Sequence, residues 1–375
     1  MSEERRALER WSPDRWEGIP TPFLAVDRPT LERNITRTQA FCDDAGLRLR
    51  PHVKTHKMPE VARLQVEAGA RGLTLATVGE AECFADAGFD DLLIAYPLWT
   101  TAAVAERLRR LLHKATVVLG IDSREGVDAL VRHGLAAHPR LSLLVEVECG
   151  LRRTGVVPED AGALAAYAVG EGITVDGAFT FPGHGYAVGA STAAAAAEAR
   201  ALTSAVESFA AAGLRCDVVS GGATPTYEAT DTTIVTETRP GVYAFGDAQQ
   251  VALGTAGVDD VALAVVATVV SAPARDRIVL DAGSKTLAAD RPPYVDGHGL
   301  LVGVPSARID RIWEHHGVVD VSAADPAVVP RVGDRVAVLP NHVCTAINLA
   351  DRVHVHVHDG GEREMWSVAA RGLNA

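Results

Sequence analysis

The chain has 375 residues, of which 47% are hydrophobic and 22% charged, which excludes a disordered protein and favours two domains. Its formal net charge of -12 argues against nucleic acid or an anionic membrane as a partner. No apolar run reaches the length of a transmembrane helix, and the first residues carry both charge signs rather than a signal-peptide core. The five cysteines lack disulfide-framework spacing, so we expect a reduced, cytoplasmic setting.

Strand-like apolar runs alternate with helical patterns from residue 23 to residue 250. The first of these runs are FLAVD (23–27), RLRPHV (48–53), LTLAT (73–77) and LLIAYP (92–97). Repeated strand–helix units indicate a parallel sheet, and about eight of them indicate a TIM-type (β/α)8 barrel. We therefore predict an α/β barrel over residues 23–250.

After residue 250 the pattern changes to short Val-rich runs separated by Gly, Pro and Asp. These runs include VALAVVATVVSA (261–272), RIVLDAG (277–283), DRVAVLP (334–340) and DRVHVHV (351–357). Alternating runs of this kind are typical of antiparallel strands. We therefore predict a smaller antiparallel β-domain over residues 251–375, and we expect residues 1–22 to pack on it.

Lys54, in the segment RPHVKTHK (50–57), follows a predicted strand and precedes a predicted helix. In a barrel this position lies at the C-terminal rim, where catalytic groups collect. Only four of the 36 basic residues are lysine, and lysine, unlike arginine, can form a Schiff base at neutral pH. The spacing alone is also compatible with a surface lysine in a basic loop.

Two glycine-containing turns follow apolar runs near the end of the predicted barrel. SGGATPT (220–226) and RPGVY (239–243) contain small residues whose backbone N–H groups can approach an anion closely. Either turn alone is compatible with an ordinary strand-to-helix connection. Two of them at the end of a barrel, where phosphate sites commonly lie, favour an anion site.

PNHVC (340–344) places His342 and Cys344 two residues apart, on the same side of an extended segment. Imidazole and thiolate ligands favour zinc over magnesium or calcium. A lone His-x-Cys pair is also compatible with a buried cysteine beside a structural histidine. The three histidines of HVHVHD (354–359) are better explained by a half-exposed strand than by a second metal site.

Six segments occur in an order that resembles the D-serine dehydratase/D-threonine aldolase family. They are TPFLAVD (21–27), RPHVKTHK, GHGY (183–186), SGGATPT, RPGVY and PNHVC. The resemblance extends from about residue 20 to the end of the chain, and RPHVKTHK and PNHVC are its most specific parts. It implies the alanine-racemase-like, fold-type III arrangement, with pyridoxal 5'-phosphate as the cofactor and a homodimer as the assembly.

The resemblance also implies roles for individual residues. Lys54 would carry the cofactor and act as the base at the substrate Cα, and Arg153 would contact the phenolic oxygen of the cofactor ring. Tyr186 or Arg239 would lie beside the pyridine nitrogen. The remaining cofactor contacts are expected at the phosphate, from Ser220, Gly221, Gly222, Thr224, Gly241 and Val242. The implied ligands of a divalent metal, zinc or alternatively manganese or magnesium, are His342 and Cys344.

The nature of the second metal ligand bears on the reaction. By resemblance, dehydratases of the family have cysteine there and aldolases often have aspartate, so Cys344 favours a lyase that converts D-serine or another 3-hydroxy D-amino acid to a 2-keto acid and ammonia. The alternative is D-threonine aldolase-type cleavage to glycine and an aldehyde. More distant alternatives are an amino-acid racemase, which needs no metal, and a non-catalytic binding protein, which would lack the β-domain.

Overall fold

A computed structural model describes residues 3–357 and 362–375 of the chain. The strands in this part of the chain are β1 (Phe23–Asp27), β2 (Arg48–Leu49), β3 (Leu73–Leu75), β4 (Asp91–Pro97), β5 (Thr116–Ile121), β6 (Leu141–Glu146), β7 (Thr174–Phe179), β8 (Val218–Gly221), β9 (Glu237–Thr238), β10 (Leu263–Ala274), β11 (Arg277–Leu280), β12 (Leu300–Leu301), β13 (Arg308–Ile312), β14 (Gly317–Asp320), β15 (Arg335–Leu339), β16 (Arg352–His356) and β17 (Arg363–Ser367). The α-helices are α1 (Glu3–Arg10), α2 (Arg28–Asp44), α3 (Pro59–Glu67), α4 (Val78–Asp86), α5 (Ala102–Leu112), α6 (Arg124–Arg132), α7 (Ala161–Gly170), α8 (Ser191–Ala211), α9 (Ala248–Leu253), α10 (Ser284–Leu287) and α11 (Val343–Ile347).

The chain forms two units, and each is assembled from separate stretches of sequence. The barrel unit consists of Thr38–Lys54, Val61–Gly241 and Leu373–Ala375. The β-unit consists of Met1–Arg37, Thr55–Glu60 and Val242–Gly372. This division differs from the predicted ranges of 23–250 and 251–375. Strand β1 belongs to the β-unit, and so does the segment Thr55–Glu60 that follows Lys54.

The barrel unit contains an eight-stranded parallel sheet with the strand order β2-β9-β8-β7-β6-β5-β4-β3. His52, just beyond β2, forms a parallel bridge with Thr74 of β3, so the two edge strands are joined. Helices α4 to α8 connect consecutive strands from β3 to β8. All six residues of β6 are buried, as expected for a parallel strand that is covered on both faces. The predicted parallel α/β architecture is confirmed.

Threonine and serine side chains define where several helices of the barrel unit begin. The hydroxyls of Thr77, Thr101 and Ser123 accept backbone N–H groups at the starts of α4, α5 and α6. Such N-caps satisfy donors that have no partner within the helix itself. Each of these helices therefore begins a few residues after its preceding strand ends, which leaves short loops at the carboxyl ends of the strands.

The β-unit contains the second sheet, whose main path is β13-β14-β11-β10-β1-β16-β17, with β15 paired to β10 and β12. The pairs are antiparallel except for β1 with β16. The predicted antiparallel β-domain is therefore confirmed, but FLAVD lies in this sheet rather than in the barrel. The sequence does not distinguish the two sheets here, because all five FLAVD residues are buried and an uninterrupted apolar strand suits the centre of either sheet.

Residues that precede β1 pack on the same sheet. Trp11 and Trp16 are buried in a cluster with Phe23, and the Trp16 and Phe23 ring centroids are 5.9 Å apart. Arg335 of β15 donates hydrogen bonds to the carbonyl oxygens of Trp16 and Ile19. In the part of the chain that the structure describes, no helix has the length and apolar character needed to cross a membrane.

Candidate functional site

Lys54 lies in a short 3-10 helix, Val53–Thr55, shortly after β2. Its backbone N–H donates to Nδ1 of His52 over 3.4 Å, and its ammonium nitrogen is 5.8 Å from the centroid of the Phe181 ring. Lysine at this distance from an aromatic face gains a favourable electrostatic contact. The lysine therefore occupies the carboxyl end of a barrel strand, the position that its sequence context predicts.

A cavity of about 330 Å³ lies within the barrel unit at this end of the strands. Four predicted site residues contribute to its lining: Lys54, Arg153, Gly222 and Arg239. Other lining side chains are those of His52, Tyr96, Thr154 and Phe181. Clefts of about 300 Å³ and above hold small ligands, so this cavity is of adequate size for a cofactor. The structure thus brings together residues that are about 190 positions apart in sequence.

Arg153 is held beside the cavity by two neighbours. Its guanidinium lies 5.2 Å from the Phe181 ring centroid and 3.6 Å from Oε1 of Glu146. Glu146 is buried at the end of β6 and also accepts a hydrogen bond from the Thr154 hydroxyl over 2.9 Å. Burial raises the pKa of Glu146, whereas Thr154 and Arg153 lower it. Phe181 therefore contacts both Lys54 and Arg153, and Glu146 orients the arginine.

Arg239 follows β9 and is buried. It donates hydrogen bonds to the Ser220 hydroxyl and to the carbonyl oxygen of Thr180. Burial lowers the pKa of Arg239, and nearby carboxylates including Glu237 oppose that shift. These bonds fix the guanidinium in the cavity wall.

Tyr186, the other residue proposed for the pyridine nitrogen, is half-buried after the GHG turn. Its ring centroid lies 6.4 Å from that of Phe181. Arg239 contributes to the lining of the cavity, whereas Tyr186 lies next to Phe181, one of the lining residues. The assignment of either residue to the pyridine nitrogen stays a prediction.

The SGGATPT turn forms a tight backbone cradle after β8. Gly222 has φ +76°, and a Cβ there would lie 2.0 Å from Oγ1 of Thr238, so only glycine fits. Its N–H donates to Oε1 of the buried Glu198 over 2.7 Å. At Gly221 a Cβ would lie 2.4 Å from the same carboxylate oxygen. The turn is therefore packed tightly against Glu198 and Thr238, and its contact with a phosphate stays a prediction.

The other residues predicted for the phosphate lie in more varied surroundings. Ser220 is fully buried, and its hydroxyl donates to Oε1 of Glu237 over 2.7 Å; Thr224 is also buried. Gly241 is partly buried, and Val242 is buried at the start of a 3-10 helix in the β-unit. Phosphate contacts by these four residues stay predictions, and the Ser220 hydroxyl is already engaged within the barrel interior.

His342 and Cys344 lie together in the β-unit at the beginning of α11, where His342 is the N-cap. Nδ1 of His342 is 3.3 Å from Oδ2 of Asp247, and Sγ of Cys344 is 3.4 Å from the hydroxyl of Thr55. Burial lowers the pKa of His342, but Cys344 and Asp247 outweigh burial and raise it to about 11. The charges beside His342 therefore favour a positive charge at the pair, which the imidazolium carries when no metal is bound.

No cluster of three or more His, Cys, Asp or Glu side chains that could hold a metal ion occurs in residues 3–357 and 362–375. The ring of His354 packs 5.0 Å from that of Phe23, and His356 is buried 6.2 Å from Trp16. These contacts agree with the interpretation of HVHVHD as a strand. The third histidine of that run, His358, lies outside the described residues.

Several residues at these sites have no role in the sequence analysis, among them Phe181, Glu198 and Asp247. Each acts through contacts with residues distant in sequence, so local periodicity gives no indication of them. The one local signal is at Asp247, which precedes the short helix α9 and caps it by accepting the N–H of Gln250. A capping aspartate is common, however, and the cap alone does not indicate its contact with His342.

The comparisons with known proteins agree with this geometry. Residues 26–249 match the family "Alanine racemase, N-terminal domain", and residues 262–356 match "Putative serine dehydratase domain". D-threonine aldolase from Arthrobacter sp is 32% identical over 367 residues, which are 95% of this chain and 94% of that protein. D-threo-3-hydroxyaspartate dehydratase from Delftia sp. (strain HT23) is 33% identical over 349 residues, with coverages of 87% and 91%.

The solved structure of the dehydratase from Delftia sp. HT23 has a TM-score of 0.86 and 31% identity to this chain. The match covers 93% of this chain and 97% of that structure. Full-length sequence matches, the family matches and the shared architecture of both units all agree. The chain therefore belongs to the D-serine dehydratase/D-threonine aldolase family of alanine-racemase-like, pyridoxal-phosphate-dependent lyases.

Proposed function

We propose that this chain is a metal-dependent dehydratase that converts a 3-hydroxy D-amino acid to a 2-keto acid and ammonia, with D-serine as the simplest substrate. The relatives are named for D-threonine and D-threo-3-hydroxyaspartate, both D-amino acids with a hydroxyl at C3. The observation that carries the choice of dehydration is Cys344 beside His342. A cysteine-to-alanine variant of a D-threo-3-hydroxyaspartate dehydratase, solved in the metal-free form, supports a link between cysteine and metal in that enzyme.

The cavity of the barrel unit fits pyridoxal phosphate, because it combines a lysine amine, two guanidinium groups, an aromatic ring and a glycine cradle. When bound, this cofactor withdraws electrons from the substrate Cα and so acidifies its proton. Lys54 would hold the cofactor, and its Nζ would then remove that proton. Arg153, oriented by Glu146, would contact the phenolic oxygen, and the phosphate would lie at the SGGATPT turn, whose Gly222 lines the cavity.

The His342 and Cys344 pair fits a borderline-soft cation, because it offers imidazole and thiol donors close together. Zinc is therefore preferred to manganese or magnesium. His342 and Cys344 would hold the metal, which would supply Lewis-acid activation of the substrate's 3-hydroxyl as a leaving group. The two donor side chains are held in place by hydrogen bonds, His342 by Asp247 and Cys344 by Thr55.

The reaction class is tested by incubating the zinc- and cofactor-loaded protein with D-serine, D-threonine and D-threo-3-hydroxyaspartate. Keto acid, ammonia and glycine are measured separately. We expect keto acid and ammonia in equal amounts, and loss of both on chelation with recovery on adding zinc. Glycine and an aldehyde without keto acid would establish the aldolase alternative. Racemisation that survives chelation would establish the racemase alternative.

The cofactor lysine is tested by borohydride reduction of the loaded protein, followed by peptide mapping. The label is the cofactor that reduction attaches permanently to a lysine, and it is expected on the peptide that contains Lys54. Lys54→Arg should take up no label, whereas the matched control Lys285→Arg, which changes an exposed lysine of the β-unit, should label like the natural chain. A label on another lysine would contradict the assignment.

The remaining expectations concern assembly and location. We propose a homodimer on the basis of the family resemblance, and a cytoplasmic location on the basis of cysteine usage. Light scattering coupled to size-exclusion chromatography measures the assembly directly, and a mass of one chain would contradict the dimer.

A further inference from the structure

Asp247 has no exposed surface and accepts three hydrogen bonds within the β-unit. Oδ1 accepts the N–H of Gln250 over 3.0 Å, which caps α9. Oδ2 lies 3.1 Å from the backbone N of Val343 and 3.3 Å from Nδ1 of His342. One carboxylate therefore contacts both the ring of His342 and the backbone between His342 and Cys344.

The contact with Oδ2 determines which nitrogen of His342 carries the proton. An ionised carboxylate only accepts hydrogen bonds, so Nδ1 must be the donor, and in the neutral ring that metal binding requires the lone pair lies on Nε2. The Cys344 side chain also hydrogen-bonds to His342. A neutral imidazole of this tautomer can bind a metal only through Nε2.

The backbone around Asp247 holds the same segment in place. The N–H groups of Ala248 and Gln249 donate to the carbonyl oxygens of Pro340 and Asn341 over 3.0 and 3.2 Å. Together with the Val343 contact, these bonds join the first turn of α9 to the PNHVC segment. The α9 start and the donor pair therefore form one hydrogen-bonded arrangement.

We propose that Asp247 is the positioning residue of the metal pair: it selects the Nε2-coordinating tautomer of His342 and fixes the spacing of the His342 and Cys344 donors. This inference rests on the proposed function, because it presumes that the pair binds a metal. A carboxylate behind a ligating histidine orients the ring and increases its basicity, and loss of such a partner costs about 10–100-fold in metal affinity.

A purely structural role would have a different signature. Asp247→Asn keeps an oxygen for the α9 cap but places an amide near two donors, and Asp247→Ser keeps a capping hydroxyl that is too short to reach His342. If Asp247 only capped α9, both variants would bind metal like the natural chain. Asp260→Asn is the matched control, since Asp260 is a second capping aspartate of the β-unit that accepts the N–H of Gly257 over 3.0 Å.

The metal-free full chain and its variants are titrated with cobalt(II), and the thiolate-to-cobalt charge-transfer absorption is recorded. We expect Kd to rise about 10–100-fold for both Asp247 variants and to stay unchanged for Asp260→Asn. An unchanged Kd for Asp247→Ser would overturn the inference. If the natural chain lacks the absorption, or Cys344→Ser retains it, the proposed metal pair fails instead, so the two failures are distinguishable.

A measurement on the natural chain does not depend on how the variants fold. Long-range ¹H–¹⁵N spectra of the zinc-loaded chain, assigned with His342→Gln, report which ring nitrogen carries the proton. A protonated Nδ1 and a metal-bound Nε2 are expected. A metal-bound Nδ1 would overturn the inference, because Asp247 could not then accept its proton.

Discussion

Glu198 is a buried carboxyl group whose replacement by glutamine should change the pH dependence of stability. It lies on α8 and is 1% exposed; Oε1 accepts the N–H of Gly222, and Oε2 has no hydrogen-bond partner among the described residues. Burial raises the pKa of Glu198 from its ordinary value of 4.5 to about 7, although the Gly222 N–H and Arg239 act in the opposite direction. The folded chain therefore holds a proton that the unfolded chain releases at lower pH.

The sign of the effect follows from proton linkage. Between pH 4.5 and about 7 the folded state binds the Glu198 proton and the unfolded state does not, so stability falls as pH rises through this window. The full change corresponds to about 3 kcal/mol, most of which develops between pH 5 and pH 8. The lost stability is the cost of burying the carboxylate charge.

Urea unfolding of the natural chain and Glu198→Gln at pH 5 and pH 8 measures this term. Glutamine keeps the oxygen that accepts the Gly222 N–H and removes the titration, so its stability relative to the natural chain should rise by about 2 kcal/mol from pH 5 to pH 8. Glu207→Gln, on the exposed side of the same helix, is the matched control. A pH-independent difference between Glu198→Gln and the natural chain would refute the reasoning.

Three further substitutions test contacts described by the structure. Arg50→Met should cost about 3–5 kcal/mol in urea unfolding, because it leaves the buried Glu237 carboxylate without the guanidinium 2.9 Å away; a cost below about 1 kcal/mol would contradict this. Lys57→Met should cost about 1.5–3 kcal/mol, because the Lys57 ammonium donates over 2.7 Å to Asn348 at the end of α11; equal unfolding midpoints would show that this bond contributes nothing. Gly222→Ala should weaken cofactor binding, measured by cofactor fluorescence, and lower the free energy of unfolding by about 1–3 kcal/mol, because the added Cβ has no space. Unchanged values of both quantities would argue against the tight packing of this turn.

The parallel sheet could be predicted from the sequence because its strands and helices alternate regularly and pair with near neighbours. The sheet to which FLAVD belongs could not be predicted, because a strand whose five residues are all buried fits the parallel and the antiparallel sheet equally well. What decides its sheet is pairing with β10 and β16, which lie more than 200 residues away. Apolar periodicity reports burial and carries no information about a distant partner.

The candidate site shows the same division. Lys54, Arg153, Gly222 and Arg239 follow strands of the barrel, and parallel strands bring their carboxyl ends to one edge, so their meeting around one cavity could be expected. The orientation of each side chain could not, because it depends on buried groups such as Glu146. That carboxylate is indistinguishable in sequence from other acidic residues at strand ends.

The pairing of β1 also has a consequence for how the chain is made. Ala25 of β1 is in register with His354 of β16, roughly 330 residues later. At about 5–20 residues per second, a ribosome would need on the order of 15–60 s to synthesise the intervening chain. Strands β3 to β8 pair in sequential order and could assemble during that time. FLAVD must wait as an exposed apolar segment, so a chaperone that shields nascent chains should raise the yield of the β-unit more than that of the barrel unit.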